Sequence, residues 1–282
     1  GAALRPFLPE AVFALLCIEF MRVDPAELRR HLGRPWPVLI ATCWTALIVP
    51  VLFGVAGTTV GLDQAHPGLY LGLMLQGVAS PLMAAPAFAA LMGFNVTFVL
   101  LTLVTSSLVI PVTASFYAGI FFDGQVALSP FALGLKLSLI LFGSMAIGLM
   151  LRRVAGEARI MRRWEEVDGI NVLILFVFVA AVLSDVSEQF LAAPIRMLSY
   201  IAVATLTFAA SLCVTSLVFF WLGFRESISV GFLTAQRNMG LLFAATGGAM
   251  PELTWLYFAC YQFPVYLAPA VLKWFLRRHG SV

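Results

Sequence analysis

The chain has 282 residues, of which 61% are hydrophobic and 11% are charged, and its mean hydropathy is +0.98. A soluble domain is nearer half apolar and a quarter charged, and one core of this size cannot bury so much apolar side chain, so the composition excludes a soluble globular protein. The net charge of +3, without basic runs interleaved with aromatic residues, argues against a nucleic-acid surface.

The apolar residues fall into runs of about twenty, the length of a membrane-spanning helix rather than of a barrel strand. A segment in lipid must satisfy its own backbone hydrogen bonds, which also favours helices. The sequence therefore predicts an all-α integral membrane protein with about nine transmembrane helices. The predicted ranges are 7–22, 36–54, 68–92, 95–121, 130–151, 169–186, 195–222, 226–249 and 252–276.

Twelve of the seventeen basic residues lie in three clusters, after predicted helices 1 and 5 and at the end of the chain. With nine helices these clusters share one side of the membrane, and acidic residues dominate the opposite loops. The positive-inside rule then predicts a multi-pass protein of the bacterial inner membrane with a cytoplasmic C-terminus and Gly1 outside. The sequence begins at Gly1 without a methionine and lacks the basic region and cleavage site of a signal peptide, so we expect a trimmed or truncated N-terminus. The clusters are Arg22, Arg29, Arg30, Arg34; Arg152, Arg153, Arg159, Arg162, Arg163; and Lys273, Arg277, Arg278.

Predicted helix 3 is interrupted by the sequence Gln-Gly-Val-Ala-Ser-Pro at residues 76–81, with Pro86 one turn further on. Proline removes a backbone donor and clashes with the preceding turn, while glycine tolerates unwound geometry. The functional interpretation of this pattern is that the helix is broken at a binding site. The structural alternative is a simple proline kink, in which Gly77 and Ser80 allow close helix packing.

Predicted helix 8 is interrupted by Gln236, Arg237 and Asn238. An arginine in the middle of a span costs at least about 2.5 kcal/mol on insertion scales. A purely structural helix has little reason to carry this cost, so the functional interpretation is favoured here.

The two predicted breaks occupy matching positions in two halves of the chain. The first half contains helices 1–4 and the second contains helices 5–9, so one helix restored before Gly1 would bring the breaks into register. Each unit would then contain five helices. Because five is an odd number, the second unit would be inverted in the membrane relative to the first, as in inverted-repeat transporters. We therefore predict two broken helices that cross near the membrane midplane.

Other polar side chains have structural explanations beside the functional ones. Glu19 can pair with Arg22 at the end of helix 1, or act as a titrating group or a partner for Arg237. Lys136 can snorkel outward, and Asn95 is expected to cap helix 4. Hydroxyls on helix 4 can bond to their own helix or line a cavity. These are Thr102, Thr105, Ser106 and Ser107, and Tyr257, Tyr261 and Gln262 are further candidate lining residues.

At the two breaks the chain resembles the bile acid:sodium symporter family, a branch of the wider BART group. Gly77-Val78-Ala79-Ser80 is similar to the centre of the family's first crossover helix, and the segment 236–241 is similar to the second. Asp24-Pro25 and Pro50 resemble the family's first loop and second span. The resemblance extends over nearly the whole chain in helix order.

The resemblance implies one transporter unit over residues 1–282 with a core domain and a panel domain. The core would hold the helices of about 36–121 and 195–276, and the panel those of about 7–22 and 130–186. It implies transport of a small organic anion by alternating access. The implied substrate-binding residues are Gly77, Ser80, Pro81, Gln236, Arg237 and Asn238, and the implied ion-coupling residues are Thr45, Ser80, Thr102, Gln236 and Glu19.

The chain departs from the family pattern where sodium would bind. Pro81 stands in place of an asparagine, Leu233 or Thr234 in place of a glutamate, and Thr45 in place of a glutamine. A missing carboxylate and an added arginine make a poor cation site. We therefore expect sodium coupling to be weak or absent, with Arg237 supplying the positive charge that bound sodium supplies elsewhere. Whether Na⁺, H⁺ or neither is the coupling ion stays open.

An enzyme is not expected, because aspartates and histidines lie at the predicted helix ends or in loops, and no HExxH or Walker A sequence occurs. The four cysteines lie in apolar stretches without a CxxC pattern, so we predict no cofactor, metal or disulfide. Two other functions stay open: efflux of arsenite or another oxyanion, and a non-transporting membrane receptor or scaffold.

Overall fold

A computed structural model describes residues 2–22, 35–122, 128–183, 186–247 and 250–278. Within these ranges every regular element is a helix, apart from one isolated β-bridge. The predicted all-α class is therefore confirmed. The basic residues Arg29, Arg30 and Arg34 and the pair Asp24-Pro25 lie outside the described residues. So do Asp123 and Asp185, two of the acidic residues in the loops on the opposite side of the predicted topology.

The first half of the described chain contains seven α-helices. A 3₁₀ turn, Ala2–Phe7, precedes α1, and the π-helical turn Trp44–Ile48 joins α2 to α3 without a break. The helices are α1 (Leu8–Arg22), α2 (Pro35–Cys43), α3 (Val49–Thr59), α4 (Leu62–Ala65), α5 (Pro67–Val78), α6 (Ala85–Leu91) and α7 (Val96–Phe121).

The second half begins with α8 and ends with the long helix α15, and a 3₁₀ turn, Phe220–Leu222, follows α12. The helices are α8 (Pro130–Ala155), α9 (Glu157–Arg162), α10 (Trp164–Val182), α11 (Val186–Ala192), α12 (Pro194–Val218), α13 (Phe224–Ala235), α14 (Met239–Ala245) and α15 (Glu252–Arg278). The side chain of Asn95 accepts a hydrogen bond from the amide of Phe98, which confirms its predicted role as the cap of α7.

Five helices are long and apolar enough to cross a membrane, judged by length and composition. Many of their large apolar side chains point outward: Val112 is 73% exposed and Leu206 is 68% exposed. Such surfaces are costly in water and are suited to lipid. The five helices are Trp36–Thr59, Val96–Phe121, Pro130–Ala155, Pro194–Val218 and Glu252–Phe275.

Both predicted interruptions occur in the structure. The segment predicted as helix 3 is divided into α5 and α6, with residues 79–84 between them, and the segment predicted as helix 8 is divided into α13 and α14 by residues 236–238. The simple kink weighed for the first segment is wrong, because a kink would leave a continuous helix.

Helix packing brings the divided helices into the interior. The half-helix α13 packs on α12, α5 packs on α15 and α3, and α14 contacts α1 and α8. Helices α8 and α10 both pack on α1. Gly231 permits the close approach of α13 and α12, because a Cβ at this position would lie 2.6 Å from the carbonyl oxygen of Leu212.

Candidate functional site

The two breaks meet as a short antiparallel β-bridge between Pro81 and Arg237. The amide of Asn238 donates to the carbonyl of Ser80 at 2.8 Å, and the amide of Leu82 donates to the carbonyl of Gln236 at 2.7 Å. Each break thus supplies backbone partners that the other half-helix needs. The predicted meeting of the two interruptions is therefore seen directly.

The position of Pro81 explains why a proline is tolerated at the crossing. In an antiparallel pair, the hydrogen bonds that flank a non-hydrogen-bonded pair come from the neighbouring residues. Pro81 and Arg237 form such a pair, since the bonds belong to residues 80, 82, 236 and 238. The missing amide of proline therefore costs no bond at this position.

Arg237 is 3% exposed and its guanidinium lies within the crossing. Nη1 donates to the carbonyl of Ala79 at 2.8 Å, and Nη2 donates to the carbonyl of Thr45 at 3.3 Å. Thr45 lies in the π-helical turn between α2 and α3, where regular backbone pairing is interrupted. One cationic side chain thereby connects both breaks to the preceding helix.

Backbone carbonyls, rather than acidic groups, balance this buried charge. No carboxylate of the described residues forms an ion pair with Arg237, and these residues use two of its five N–H donors. The described part of the chain also contains no group of three or more His, Cys, Asp or Glu side chains that could hold a metal ion. The predicted alternative of a pair between Glu19 and Arg237 is not formed, and Glu19 lies half-buried on α1.

Polar side chains surround the crossing at the end of α13. The hydroxyls of Thr45 and Thr234 are 3.1 Å apart, and the hydroxyl of Tyr261 donates to the carbonyl of Ala235. The Gln236 amide donates through Nε2 to the carbonyl of Val265 at 2.8 Å. Its buried Oε1 has no protein partner among the described residues, so Gln236 retains an acceptor at the crossing.

A second polar cluster lies one turn before the first break. Gln76 is fully buried, and its Oε1 accepts from the hydroxyl of Tyr257 and from that of Thr207 at 3.2 Å. The hydroxyls of Thr207 and Tyr257 are 3.0 Å apart. Thr207 was not among the residues predicted from the sequence, whereas Tyr257 and Tyr261 were candidate lining residues.

The other predicted residues differ in their positions. Gly77 faces Phe53 rather than an open cavity, since a Cβ on Gly77 would lie 3.0 Å from the side chain of Phe53. Gln262 donates to the carbonyl of Phe258 on its own helix. Thr102 is fully buried on α7, and its hydroxyl has no protein partner in the described ranges. Lys136 is exposed on α8, as expected for a snorkelling side chain.

A comparison against protein families gives a match over about three quarters of the chain. The profile of the sodium bile acid symporter family matches residues 10–220. The chain belongs to the sodium bile acid symporter family. No curated protein matches the chain.

Within this member of the sodium bile acid symporter family, the matched residues include the first break and end before α13. The second break, which contains Arg237, therefore lies beyond the matched range. The first break supplies the carbonyl of Ala79 that Arg237 binds, so the two parts of the crossing depend on each other.

Proposed function

We propose that this protein is a secondary transporter for small organic anions, in which Arg237 replaces a bound cation. The observation that carries the proposal is the buried guanidinium, which donates to the carbonyls of Ala79 and Thr45 where the two broken helices meet. Backbone carbonyls at interrupted membrane helices coordinate cations in transporters. A tethered guanidinium can satisfy the same oxygens without leaving the site.

The charge of Arg237 then has two roles. It holds the crossing together through two carbonyls, and its remaining donors attract the carboxylate of a substrate. Gln236 and Asn238 complete the proposed substrate site from the second break, and Ser80 and Pro81 complete it from the first break. Gly77, which was also expected in this site, packs against Phe53 in the last turn of α5. Because the positive charge is covalent, we expect transport that does not require sodium.

We further propose nine transmembrane helices arranged as an inverted repeat in the inner membrane, with the C-terminus in the cytoplasm. The mutual pairing of the two breaks supports this arrangement. The packing of α8 and α10 on α1 supports a separate panel, and the contacts of α14 with α1 and α8 are where that panel would move against the core. Such movement would expose the crossing to each side in turn.

The predicted ion-coupling residues differ in whether their polar groups are already hydrogen-bonded within the protein. Thr45 binds Arg237 through its carbonyl and Thr234 through its hydroxyl, so it is already engaged. The hydroxyls of Thr102, Ser106 and Ser107 are buried on α7 without protein partners among the described residues. They are the proposed place for a coupling proton carrier, a water molecule or a polar substrate group.

Uptake into proteoliposomes tests the proposal, with radiolabelled taurocholate and pyruvate as a large and a small organic-acid probe. We expect equal uptake in sodium and potassium buffers. Arg237→Ala should reduce uptake at least about tenfold, the equivalent of about 1.4 kcal/mol. Free guanidinium should restore part of the loss by occupying the emptied space between the carbonyls.

Arg225→Ala is the matched control, because Arg225 is exposed at the start of the same half-helix. It should retain uptake, and Arg237→Lys should retain more than Arg237→Ala. Strict sodium dependence of the unmodified protein would contradict the tethered-cation proposal. Uptake that survives in Arg237→Ala without guanidinium would remove Arg237 from the substrate site. Absence of uptake by the unmodified protein would instead favour a receptor or scaffold.

A further inference from the structure

A long apolar groove lies on the membrane-facing surface between α3 and α12, away from Arg237. Its volume is about 530 Å³, and its walls include Trp44, Phe53, Val60, Leu62, Thr207 and Thr215. Large apolar side chains flank it on both helices, since Val55 is 50% exposed and Leu217 is 74% exposed. The groove therefore opens toward hydrocarbon.

The groove has one end at the membrane surface and one end inside. Val60 and Leu62 lie where α3 ends and the chain reverses at Gly61. Trp44 lies sixteen residues earlier, which corresponds to about 24 Å along a helix. One leaflet of the hydrocarbon region is only about 15 Å deep. Because this distance is greater than the depth of one leaflet, an acyl chain that enters at the surface end reaches Trp44 only when it lies extended along the groove.

Three of the four polar side chains in the groove walls are hydrogen-bonded within the protein, and the fourth, Ser211, adds one hydroxyl that has no hydrogen bond with the described residues. Trp44 Nε1 donates to the hydroxyl of Thr215 at 2.9 Å, and the hydroxyl of Thr207 bonds to Gln76 and to carbonyls of its own helix. An occupant thus finds apolar surface and, among these side chains, only the hydroxyl of Ser211 without a partner from the described residues. This favours a hydrocarbon chain over a polar solute.

Both walls of the groove also contact the half-helix α5 immediately before its break. Phe53 packs against Gly77, and Thr207 bonds to the side chain of Gln76. These contacts connect the groove to the last turn of α5. An occupant that lies between α3 and α12 would therefore hold in place the residues that lead into the crossing.

From this placement we propose that the groove is a binding site for one acyl chain of a membrane phospholipid. The bound chain lies between α3 and α12 and steadies the turn of α5 at Gln76 and Gly77. The site depends only on the membrane location of the chain and is independent of the substrate or the ion coupling of the transporter.

Quenching of Trp44 fluorescence by brominated lipid tests the proposal. The protein is reconstituted in phosphatidylethanolamine vesicles with a rising fraction of dibrominated acyl chains. The contribution of Trp44 is obtained by subtracting the signal of the same protein with Trp44→Phe. We expect this contribution to fall as the brominated fraction rises, because a chain in the groove contacts the indole.

Two alanines on α12 provide a matched pair of variants, since both are exposed and only Ala210 lines the groove. Ala210→Phe fills the groove between its two ends and should abolish most of the quenching of Trp44. Ala209→Phe adds the same ring outside the groove and should leave the quenching unchanged. Equal midpoints of thermal unfolding for both variants would show that they fold alike.

Three results would overturn the proposal. Equal quenching in Ala210→Phe and Ala209→Phe would mean that Trp44 meets only bulk lipid. Absence of quenching in the unmodified protein would mean that no acyl chain enters. A dimer that is lost in Ala210→Phe, without a change in quenching, would identify a second copy of the chain as the occupant.

Discussion

The two breaks at the crossing contribute opposite halves of the same set of interactions. The first break, residues 79–84, is apolar apart from Ser80, and it offers the carbonyls of Ala79 and Ser80. The second break is three polar residues long, and it offers the guanidinium of Arg237 and the amide of Asn238. Most of the acceptors come from the first break and most of the donors from the second; the exception is the amide of Leu82, which donates to the carbonyl of Gln236.

This difference explains why residues so unlike each other occupy equivalent places. A proline fits the first break because it needs no amide there, and an arginine fits the second break because the first leaves a carbonyl to be satisfied. Each of the two residues is therefore tolerated because of the hydrogen-bonding groups that the other break supplies. The crossing is stable only as a pair, and changes to the donor side should cost more than changes to the acceptor side.

Replacement of the main donor should have the largest effect. Arg237→Met keeps much of the side-chain volume but leaves the carbonyls of Ala79 and Thr45 without their donor. Each buried acceptor left unpaired costs about 1–3 kcal/mol, so for the two carbonyls we expect a loss of about 2–6 kcal/mol in the free energy of unfolding. Chemical unfolding in mixed micelles measures this loss. A stability equal to that of the unmodified protein would show that the guanidinium does not hold the crossing together.

Exchange of proline between the breaks should give the next largest effect. Asn238 has a φ of −87°, close to the value that proline requires, so Asn238→Pro mainly removes the amide that donates to Ser80. We expect a loss of about 1–3 kcal/mol. Pro81→Ala is the control and should change stability by less than about 1 kcal/mol, since residue 81 donates no bond in the bridge. Similar losses in both variants would contradict the bridge register.

The sequence predicts those parts of this site that are formed by unusual side chains, and it does not predict the parts that are formed by backbone groups. Pro81, Gly77 and Arg237 are unusual within an apolar helix, and each signals a break or a polar interior by its own chemistry. The acceptors of Arg237 are backbone carbonyls, which every residue has, so nothing distinguishes Ala79 or Thr45 in the sequence. The π-helical turn that contains Thr45 likewise lies in an ordinary apolar run.

Thr207 illustrates a second limit of sequence-based prediction. Its hydroxyl bonds to carbonyls of its own helix as well as to Gln76, and the first kind of bond is common for threonine in membrane helices. Only the packing of α12 against α15, which brings the hydroxyl of Thr207 to Tyr257 and Gln76, gives it a further role. Helix ends were also displaced: predicted helix 6 starts at Trp164 rather than at residue 169, because its first turn carries Glu165 and Glu166 beyond the apolar run.

A smaller loss is expected where a side chain supports the donor break from outside. The hydroxyl of Tyr261 donates to the carbonyl of Ala235, the last residue of α13. Tyr261→Phe retains the ring and removes this bond, so we expect a loss of about 1 kcal/mol, measured by the same unfolding experiment. Tyr266→Phe on the exposed face of α15 is the control and should have no measurable effect. A loss as large as that of Arg237→Met would mean that α13, rather than the guanidinium, limits the stability of the crossing.

The smallest change in stability is expected for Ser80→Ala, within about 0.5 kcal/mol. Ser80 contributes its carbonyl to the bridge, whereas its hydroxyl forms no hydrogen bond with the described residues. A backbone role survives the substitution, and a substrate-binding role does not. Uptake of taurocholate and pyruvate therefore separates the two roles: reduced uptake at unchanged stability assigns the hydroxyl to the substrate. Unchanged uptake confines Ser80 to the acceptor side of the crossing, and a large loss of stability would contradict the division between the two breaks.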